Sequence, residues 1–191
     1  MELILASQSP RRRELLGLFN LPFTVRVADI DETMDDTRSA QEEVARVSLR
    51  KAQAVVHQAD DIVIAADTIV VCEGQILGKP HDETDARRML TLLSGRDHQV
   101  MTGMTVLRGD RQVVCTEVTD IHFRTLSEKE IRAYIATGEP MDKAGAYGIQ
   151  GGGALFAEKM VGDYYNVMGL PVCRLGQILR EIAPEIMEEA R

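Results

Sequence analysis

One carboxylate interrupts the most apolar stretch of the chain. After Asp61, the segment 62–72 (IVIAADTIVVC) contains only apolar residues apart from Asp67 and Thr68. A short, non-alternating run of this kind predicts a strand that is covered on both faces. A carboxylate there costs on the order of several kcal/mol unless a partner neutralises it. We interpret Asp67 as a site carboxylate that holds a metal or activates water. The alternative, a cap at a strand end, fits poorly because the apolar run resumes after Thr68.

Basic side chains are concentrated at one predicted strand-to-helix junction. The segment 7–13 (SQSPRRR) follows a short apolar strand, and Ser9 and Pro10 are favoured N-cap and first helical residues. Arginines in a first turn oppose the helix dipole, which favours anions. They make sense where an anion also binds the free N–H groups. The junction therefore predicts a phosphate site rather than a solvated basic turn, although the glycine-rich P-loop pattern is absent.

Two lysines and an acidic loop are further candidates. Lys51 falls on the apolar stripe of a helix that begins with a capping box at Ser39–Glu42. It either reaches past the stripe to solvent or points into a ligand cleft, and the spacing does not decide between these. Lys79 lies in the loop Gly78–Pro80, and the acidic loop 29–33 (DIDET) contains Glu32. That loop is either simply solvated or lends a carboxylate to a hard cation.

A glycine-rich segment lies in the second half of the chain. Residues 142–153 (DKAGAYGIQGGG) combine glycines with polar side chains, so their backbone can approach a ligand closely. A flexible connector is the alternative, but Tyr147 and Ile149 favour an ordered loop.

The elements that would position these residues alternate between strand and helix patterns. The sequence predicts strands at 2–6, 23–27, 62–72, 100–107, 113–123 and 154–160. Two helices are predicted to begin at Pro10 and at Ser39, and three more are predicted to cover 82–93, 127–138 and 171–186. In the second helix, Val44, Val47, Ala54 and Val55 are expected to face inward. A hairpin is predicted at Gly109–Asp110, so the α/β class should contain a mixed sheet.

Composition excludes several classes of function. The 191 residues include 22 basic and 30 acidic side chains, a net charge of −8, which argues against nucleic-acid binding driven by charge. Together with an aromatic content of 4%, it disfavours an RNA-binding module. Three widely separated cysteines predict neither a zinc site nor a disulfide framework and fit a reducing cytoplasm. No signal peptide or membrane span is expected.

Five motifs, taken together, resemble the signatures of the Maf family. They occur in the family's order and extend almost from end to end: Ser7–Arg12 (SQSPRR), Ala66–Thr68 (ADT), Gly78–Pro80 (GKP), 142–151 (DKAGAYGIQG) and 167–171 (VMGLP). The resemblance implies a twisted mixed β-sheet flanked by helices with a ligand cleft, similar to inosine triphosphate pyrophosphatases. It implies a single Maf-like domain over residues 1–191, with two lobes around a central cleft as the alternative.

The resemblance also implies a role for each matching residue. Asp67 is expected to be the general base, and Glu32 and Asp67 to contact a divalent cation, Mg²⁺ or Mn²⁺. Substrate binding and specificity are expected from Arg11, Thr68, Gln150, Ser7, Arg12, Lys51 and Lys79. The amide of Gln150 can pair with a uracil-type imide. The run Gly151–Gly153 has one glycine more than the pattern leads us to expect.

The implied activity is that of a cytoplasmic nucleoside triphosphate pyrophosphatase. The resemblance is closest to the branch that hydrolyses dTTP and UTP, whereas a sister branch that hydrolyses 7-methyl-GTP differs in the 142–151 segment. The products would be the nucleoside monophosphate and pyrophosphate. Modified pyrimidine nucleotides would be further substrates, and the role of the enzyme would be to remove non-standard nucleotides. The alternative is a nucleotide-binding regulator of cell division (septum formation) without significant turnover. We expect a homodimer and no nucleic-acid or membrane partner.

Overall fold

One mixed sheet forms the framework of the protein. The computed structural model describes residues 1–35 and 37–189. Within them, seven strands form a sheet with the order β2-β1-β3-β5-β6-β7, and β4 pairs with β3. The strands are β1 (Leu3–Leu5), β2 (Thr24–Val25), β3 (Ile62–Cys72), β4 (Gln75–Leu77), β5 (Asp97–Arg108), β6 (Arg111–Phe123) and β7 (Ala157–Val161).

Strand pairing confirms the predicted mixed α/β class. β1 pairs in parallel with β2 and with β3, and the register places Ile4 opposite Val63. β3 pairs antiparallel with β4, and β6 pairs antiparallel with β7. The predicted hairpin is also confirmed: β5 and β6 are neighbours joined at Gly109–Asp110, where Gly109 has a φ of 54°.

The predicted capping residues begin the helices. Ser9 accepts a hydrogen bond from the amide of Arg12, and Ser39 and Ser127 each form a complete capping box. None of the helices in the described part of the chain is long and apolar enough to cross a membrane. The helices are α1 (Pro10–Gly17), α2 (Ala40–Ala54), α3 (Glu83–Leu93), α4 (Glu128–Ile135), α5 (Tyr164–Met168), α6 (Val172–Ile182) and α7 (Pro184–Glu189).

The chain divides into two compact units. The first comprises Met1–Asp67, Thr102–Glu117 and Gly169–Arg191, and the second comprises Thr68–Met101 and Val118–Met168. A buried cluster in the first unit contains Ile4, Ala6, Ala52, Val55, Val63, Ala65 and Leu107. A larger one in the second unit includes Val70, Leu77, Met89, Leu90, Ile121, Phe123, Tyr134, Tyr147 and Phe156.

Three predicted details of the elements were wrong. The last helix is interrupted at Ala183, because Pro184 cannot continue the hydrogen bonds of α6 and instead begins α7. The strand predicted at 154–160 is confined to β7, since Gly152–Leu155 form a 3₁₀ turn. In α2 the buried alanine is Ala52 and not Ala54, which is exposed.

Candidate active site

Asp67 lies in the middle of β3 rather than at its end. The strand is unbroken from Ile62 to Cys72, and every strand residue before Asp67 is buried. The Asp67 side chain itself retains 13% of its surface exposed. The strand-end alternative is therefore excluded, and a carboxylate this far removed from water requires a charged or hydrogen-bonding partner.

Lys51 provides that partner. Its Nζ donates to Asp67 Oδ1 over 2.6 Å and lies 3.0 Å from Glu32 Oε1. The Lys51 side chain is only 15% exposed, whereas Glu32 is 56% exposed. Lys51 thus does not reach past the helix to solvent. It joins two carboxylates from separate segments.

Close packing of α2 explains where Lys51 points. A Cβ atom on Gly103 of β5 would lie 2.2 Å from the Val44 carbonyl oxygen, so only glycine allows α2 to approach this strand so closely. The Ser48 and Thr105 hydroxyls share a buried hydrogen bond of 2.8 Å at the same contact. These contacts fix one face of α2, and Lys51 follows Ser48 by three residues along the helix.

The same helix holds the loop that contains Glu32. Arg50 Nη2 donates to the Asp31 carbonyl, and Arg46 Nη2 donates to the Thr33 carbonyl over 3.1 Å. The backbone is thus held on both sides of Glu32.

A buried carboxylate completes this support. Glu43 has a fully buried side chain, accepts two hydrogen bonds from Arg46, at 2.9 and 2.6 Å, and accepts one from the Asp35 amide at 2.7 Å. The hydrogen bonds from Arg46 lower the pKa of Glu43 below its ordinary value. Glu43 and Arg46 were not predicted from the sequence, although their i, i+3 spacing was a signal for a pair on one helix face.

Arg12 is held by contacts with the backbone and with Ser7. Its Nε donates to the Gly169 carbonyl over 2.7 Å, and its Nη1 donates to Ser7 Oγ over 3.2 Å. Ser7 Oγ also accepts from the amide of Ser9 over 3.2 Å. Two predicted motifs, at the start of α1 and around Gly169, are therefore joined through one guanidinium.

The charges in the first unit influence one another. The pKa of Arg12 lies below its ordinary value, chiefly because burial lowers it. The negative charges of Asp67 and Glu32 oppose this effect, and the positive charge of Arg11 adds to it. Five of the predicted side chains thus come together in this unit: Ser7, Arg12, Glu32, Lys51 and Asp67. Arg11 lies near enough to Arg12 for its positive charge to lower the pKa of Arg12.

The two carboxylates fit part of a site for a hard divalent cation. Glu32 and Asp67 both contact the ammonium of Lys51, so their oxygens already surround one positive charge. Mg²⁺ in enzymes is commonly held by one or two carboxylates together with substrate phosphates and water. No group of three His, Cys, Asp or Glu that could hold a metal occurs within residues 1–35 and 37–189. Glu32 and Asp67 thus fit two of the oxygen ligands that such a cation would need.

Three predicted residues lie in the second unit. Thr68 follows Asp67 in β3 and is partly buried, whereas Lys79 and Gln150 are exposed. The loop of Lys79 is attached to the glycine-rich loop, because the amide of Gly145 donates to the Gly78 carbonyl over 3.0 Å. Gly145 has a φ of 67°, and a Cβ atom there would lie 2.7 Å from Val70 Cγ2. The glycine-rich loop is thus ordered and packs on β3.

Comparisons with known proteins agree with the predicted family and fold. The family model described as Maf-like protein matches residues 2–182. A dTTP/UTP pyrophosphatase of Symbiobacterium thermophilum is 52% identical over 94% of this chain and 93% of its own length. Its counterpart in Bacillus cereus strain AH187 is 48% identical over 94% and 95%. The structure of a HAM1 protein from Coxiella burnetii is 15% identical, covers 95% of this chain and 99% of its own, and gives a TM-score of 0.53, which supports the fold alone.

Proposed function

This chain belongs to the Maf family, and we propose that it hydrolyses dTTP and UTP to the nucleoside monophosphate and pyrophosphate. The observation that carries the proposal is the placement of Asp67, an interior strand carboxylate that contacts Lys51 and lies near the charge of Arg12. Cleavage of a phosphoanhydride needs an oriented water, a base and neutralised phosphate charge. The relatives named dTTP/UTP pyrophosphatase, at about half identity over nearly the whole chain, support the same activity.

In the proposed reaction, water adds across the anhydride between the α- and β-phosphates. Asp67 accepts the proton that the attacking water loses, and pyrophosphate leaves with the electron pair of the broken P–O bond. Lys51 Nζ donates to Asp67 and lies 3.0 Å from Glu32, and an ammonium group has three donors, so Lys51 can also donate to a phosphate oxygen. Arg12 and Lys79 neutralise phosphate charge, and Arg11, Thr68 and Gln150 select the nucleotide.

A divalent cation, Mg²⁺ or Mn²⁺, would supply further neutralisation of phosphate charge when bound. Glu32 and Asp67 would hold it, since both are hard oxygen donors that contact the same ammonium.

We also propose a compartment, a domain organisation, an assembly and further substrates for the enzyme. We assign it to the cytoplasm, with residues 1–191 as one Maf-like domain, a homodimer as the assembly and modified pyrimidine nucleotides as additional substrates. Removal of non-standard nucleotides would be its role. No observation favours the regulator of septum formation, and Asp67 argues against it, because a protein that only binds nucleotides needs no interior base.

The direct test is product analysis. Purified protein would be incubated with dTTP, UTP, CTP, dCTP, ATP and GTP, with Mg²⁺, with Mn²⁺ or with EDTA. We expect equal amounts of monophosphate and pyrophosphate from dTTP and UTP, and only in the presence of a metal. Orthophosphate and a diphosphate as products, or no turnover of either substrate, would overturn the proposal.

A further inference from the structure

Gln150 lies on a short arc whose two ends are each held by a hydrogen bond. The amide of Gly148 donates to the Tyr134 hydroxyl over 3.0 Å, and the amide of Gly152 donates to Glu139 Oε2 over 3.0 Å. Within the arc, the amide of Gly151 donates to the Gly148 carbonyl over 3.2 Å. Gln150 stands between these anchors with its side chain exposed.

The two anchors are joined to each other. The Tyr134 hydroxyl donates to Glu139 Oε1 over 2.8 Å, so one phenol and one carboxylate form a continuous clamp across the arc. Tyr134 is 5% exposed, and its ring packs edge-on against Phe156 with centroids 5.0 Å apart. Burial raises the pKa of the Tyr134 phenol, which keeps the hydroxyl protonated and able to donate.

Steric contacts show that the arc and the clamp fit one another. A Cβ atom on Gly151 would lie 2.2 Å from Glu139 Oε1, and one on Gly152 would lie 3.0 Å from the Tyr134 ring. A Cβ atom on Gly153 would lie 2.7 Å from the Gly148 carbonyl oxygen. The three consecutive glycines therefore let the backbone lie directly on Tyr134 and Glu139, rather than loosening the loop.

We propose that Tyr134 and Glu139 are positioning residues that set the selectivity for the pyrimidine base by fixing the backbone on both sides of Gln150. The inference rests on the proposed function, in which Gln150 contacts the base. Glu139 accepts at both of its oxygens, from Tyr134 and from Gly152, which an amide cannot reproduce. Tyr134 both donates and accepts through one atom, which phenylalanine cannot do. Neither side chain needs to touch the substrate for this effect.

The decisive variant is Tyr134→Phe, which keeps the ring packing and removes only the hydroxyl. We expect kcat/KM for UTP to fall by roughly tenfold, the effect of about one lost hydrogen bond, with a much smaller change for CTP. Glu139→Gln should act in the same direction but more weakly, because its remaining carbonyl can satisfy one of the two donors. Tyr165→Phe, which removes an exposed hydroxyl, is the matched control. Thermal melts would confirm that each variant is folded at the assay temperature.

A double-mutant cycle separates positioning from general destabilisation. If the clamp acts through Gln150, Tyr134→Phe should change the UTP-to-CTP ratio of kcat/KM in the wild-type background and leave it unchanged in Gln150→Ala. If Gln150→Ala narrows that ratio but Tyr134→Phe does not, the clamp is overturned and the proposed function stands. Additive effects of the two substitutions would overturn the clamp as well. A wild-type protein without activity on UTP would overturn both proposals.

Discussion

At the scale of single residues, Asp67 and Lys51 compensate each other's charge away from bulk water. The 2.6 Å contact gives the carboxylate the partner that its place in β3 demands. In the proposed reaction the same contact holds the Asp67 carboxylate in place to accept the proton that water loses. Glu32, on the other side of the ammonium, is far more exposed, so it would be able to contact the proposed metal while Asp67 stays paired with Lys51.

We expect Asp67→Asn to abolish most turnover of dTTP and UTP while the fold is retained. The amide is nearly isosteric and can still accept from Lys51, but it cannot take a proton, and a general base is worth about 10²–10⁴-fold in rate. The measurement is kcat with saturating metal, and Asp110→Asn in the exposed hairpin turn is the control. Near wild-type turnover would show that another group is the base.

Gln150 is expected to select the base of the nucleotide by hydrogen bonding. Its amide can accept from N3–H and donate to O4 of uracil, whereas cytosine presents the reverse pattern. Loss of this pairing costs about 1–3 kcal/mol, so Gln150→Ala should lower kcat/KM for UTP by roughly 5- to 150-fold and narrow the preference over CTP. Gln177→Ala, an exposed change in α6, is the control. An unchanged UTP-to-CTP ratio would remove Gln150 from base recognition.

At the scale of elements, α2 does more than cover the sheet. It presents Lys51, and through Arg46 and Arg50 it also holds the backbone on both sides of Glu32. Glu43 orients Arg46 from a fully buried position. One helix thus sets the distance between the ammonium and an exposed carboxylate that would otherwise move with its loop.

Glu43→Gln should therefore weaken metal activation more than nucleotide binding. The amide cannot accept the paired hydrogen bonds of Arg46 together with the Asp35 amide, so Glu32 loses its support. We expect about 1–3 kcal/mol of lost stability and a roughly tenfold higher Mg²⁺ concentration at half-maximal rate. The control is Glu83→Gln, an exposed residue in the first turn of α3. A normal Mg²⁺ requirement in a folded variant would contradict this account.

At the scale of the whole molecule, stability should depend on pH through a buried histidine. His98 is 2% exposed, its Nε2 lies 2.8 Å from the Tyr147 hydroxyl, and its ring meets Phe123 edge-on at 4.8 Å. Burial lowers the pKa of His98 to about 4. Between pH 4 and its ordinary value near 6.5, the unfolded chain binds a proton that the folded chain does not.

Unfolding free energy should consequently fall as the pH is lowered through that window, by up to about 3 kcal/mol from this group. The measurement is urea unfolding from pH 7.5 to 4.5 in the wild type and in His98→Gln, which cannot take up the proton. We expect a flatter pH profile for His98→Gln and an unaltered one for His81→Gln, an exposed change. Equal slopes in wild type and His98→Gln would contradict the assignment.

Local patterns were sufficient to predict much of this fold. Some features depend only on residues that are close together in the sequence, so the sequence alone predicted them. They are the strand around Asp67, the capping serines of α2 and α4, and the turn at Gly109–Asp110. The family could also be predicted from the sequence, because its motifs are short and contiguous. The proposed chemistry followed from the family. The break before Pro184 was also local and was simply missed.

Tertiary structure alone decided which side chains meet. Two alternatives for Lys51 were open on helical spacing, and its contact with Asp67, sixteen residues away, depends on how closely Gly103 lets α2 pack. Likewise, the clamp of Tyr134 and Glu139 on the glycine arc arises because α4, which contains Tyr134, and the 3₁₀ turn Glu139–Asp142 both meet the glycine-rich loop. Periodicity in a sequence determines which face of an element is apolar, but the partner of a polar group is fixed only when those faces have packed.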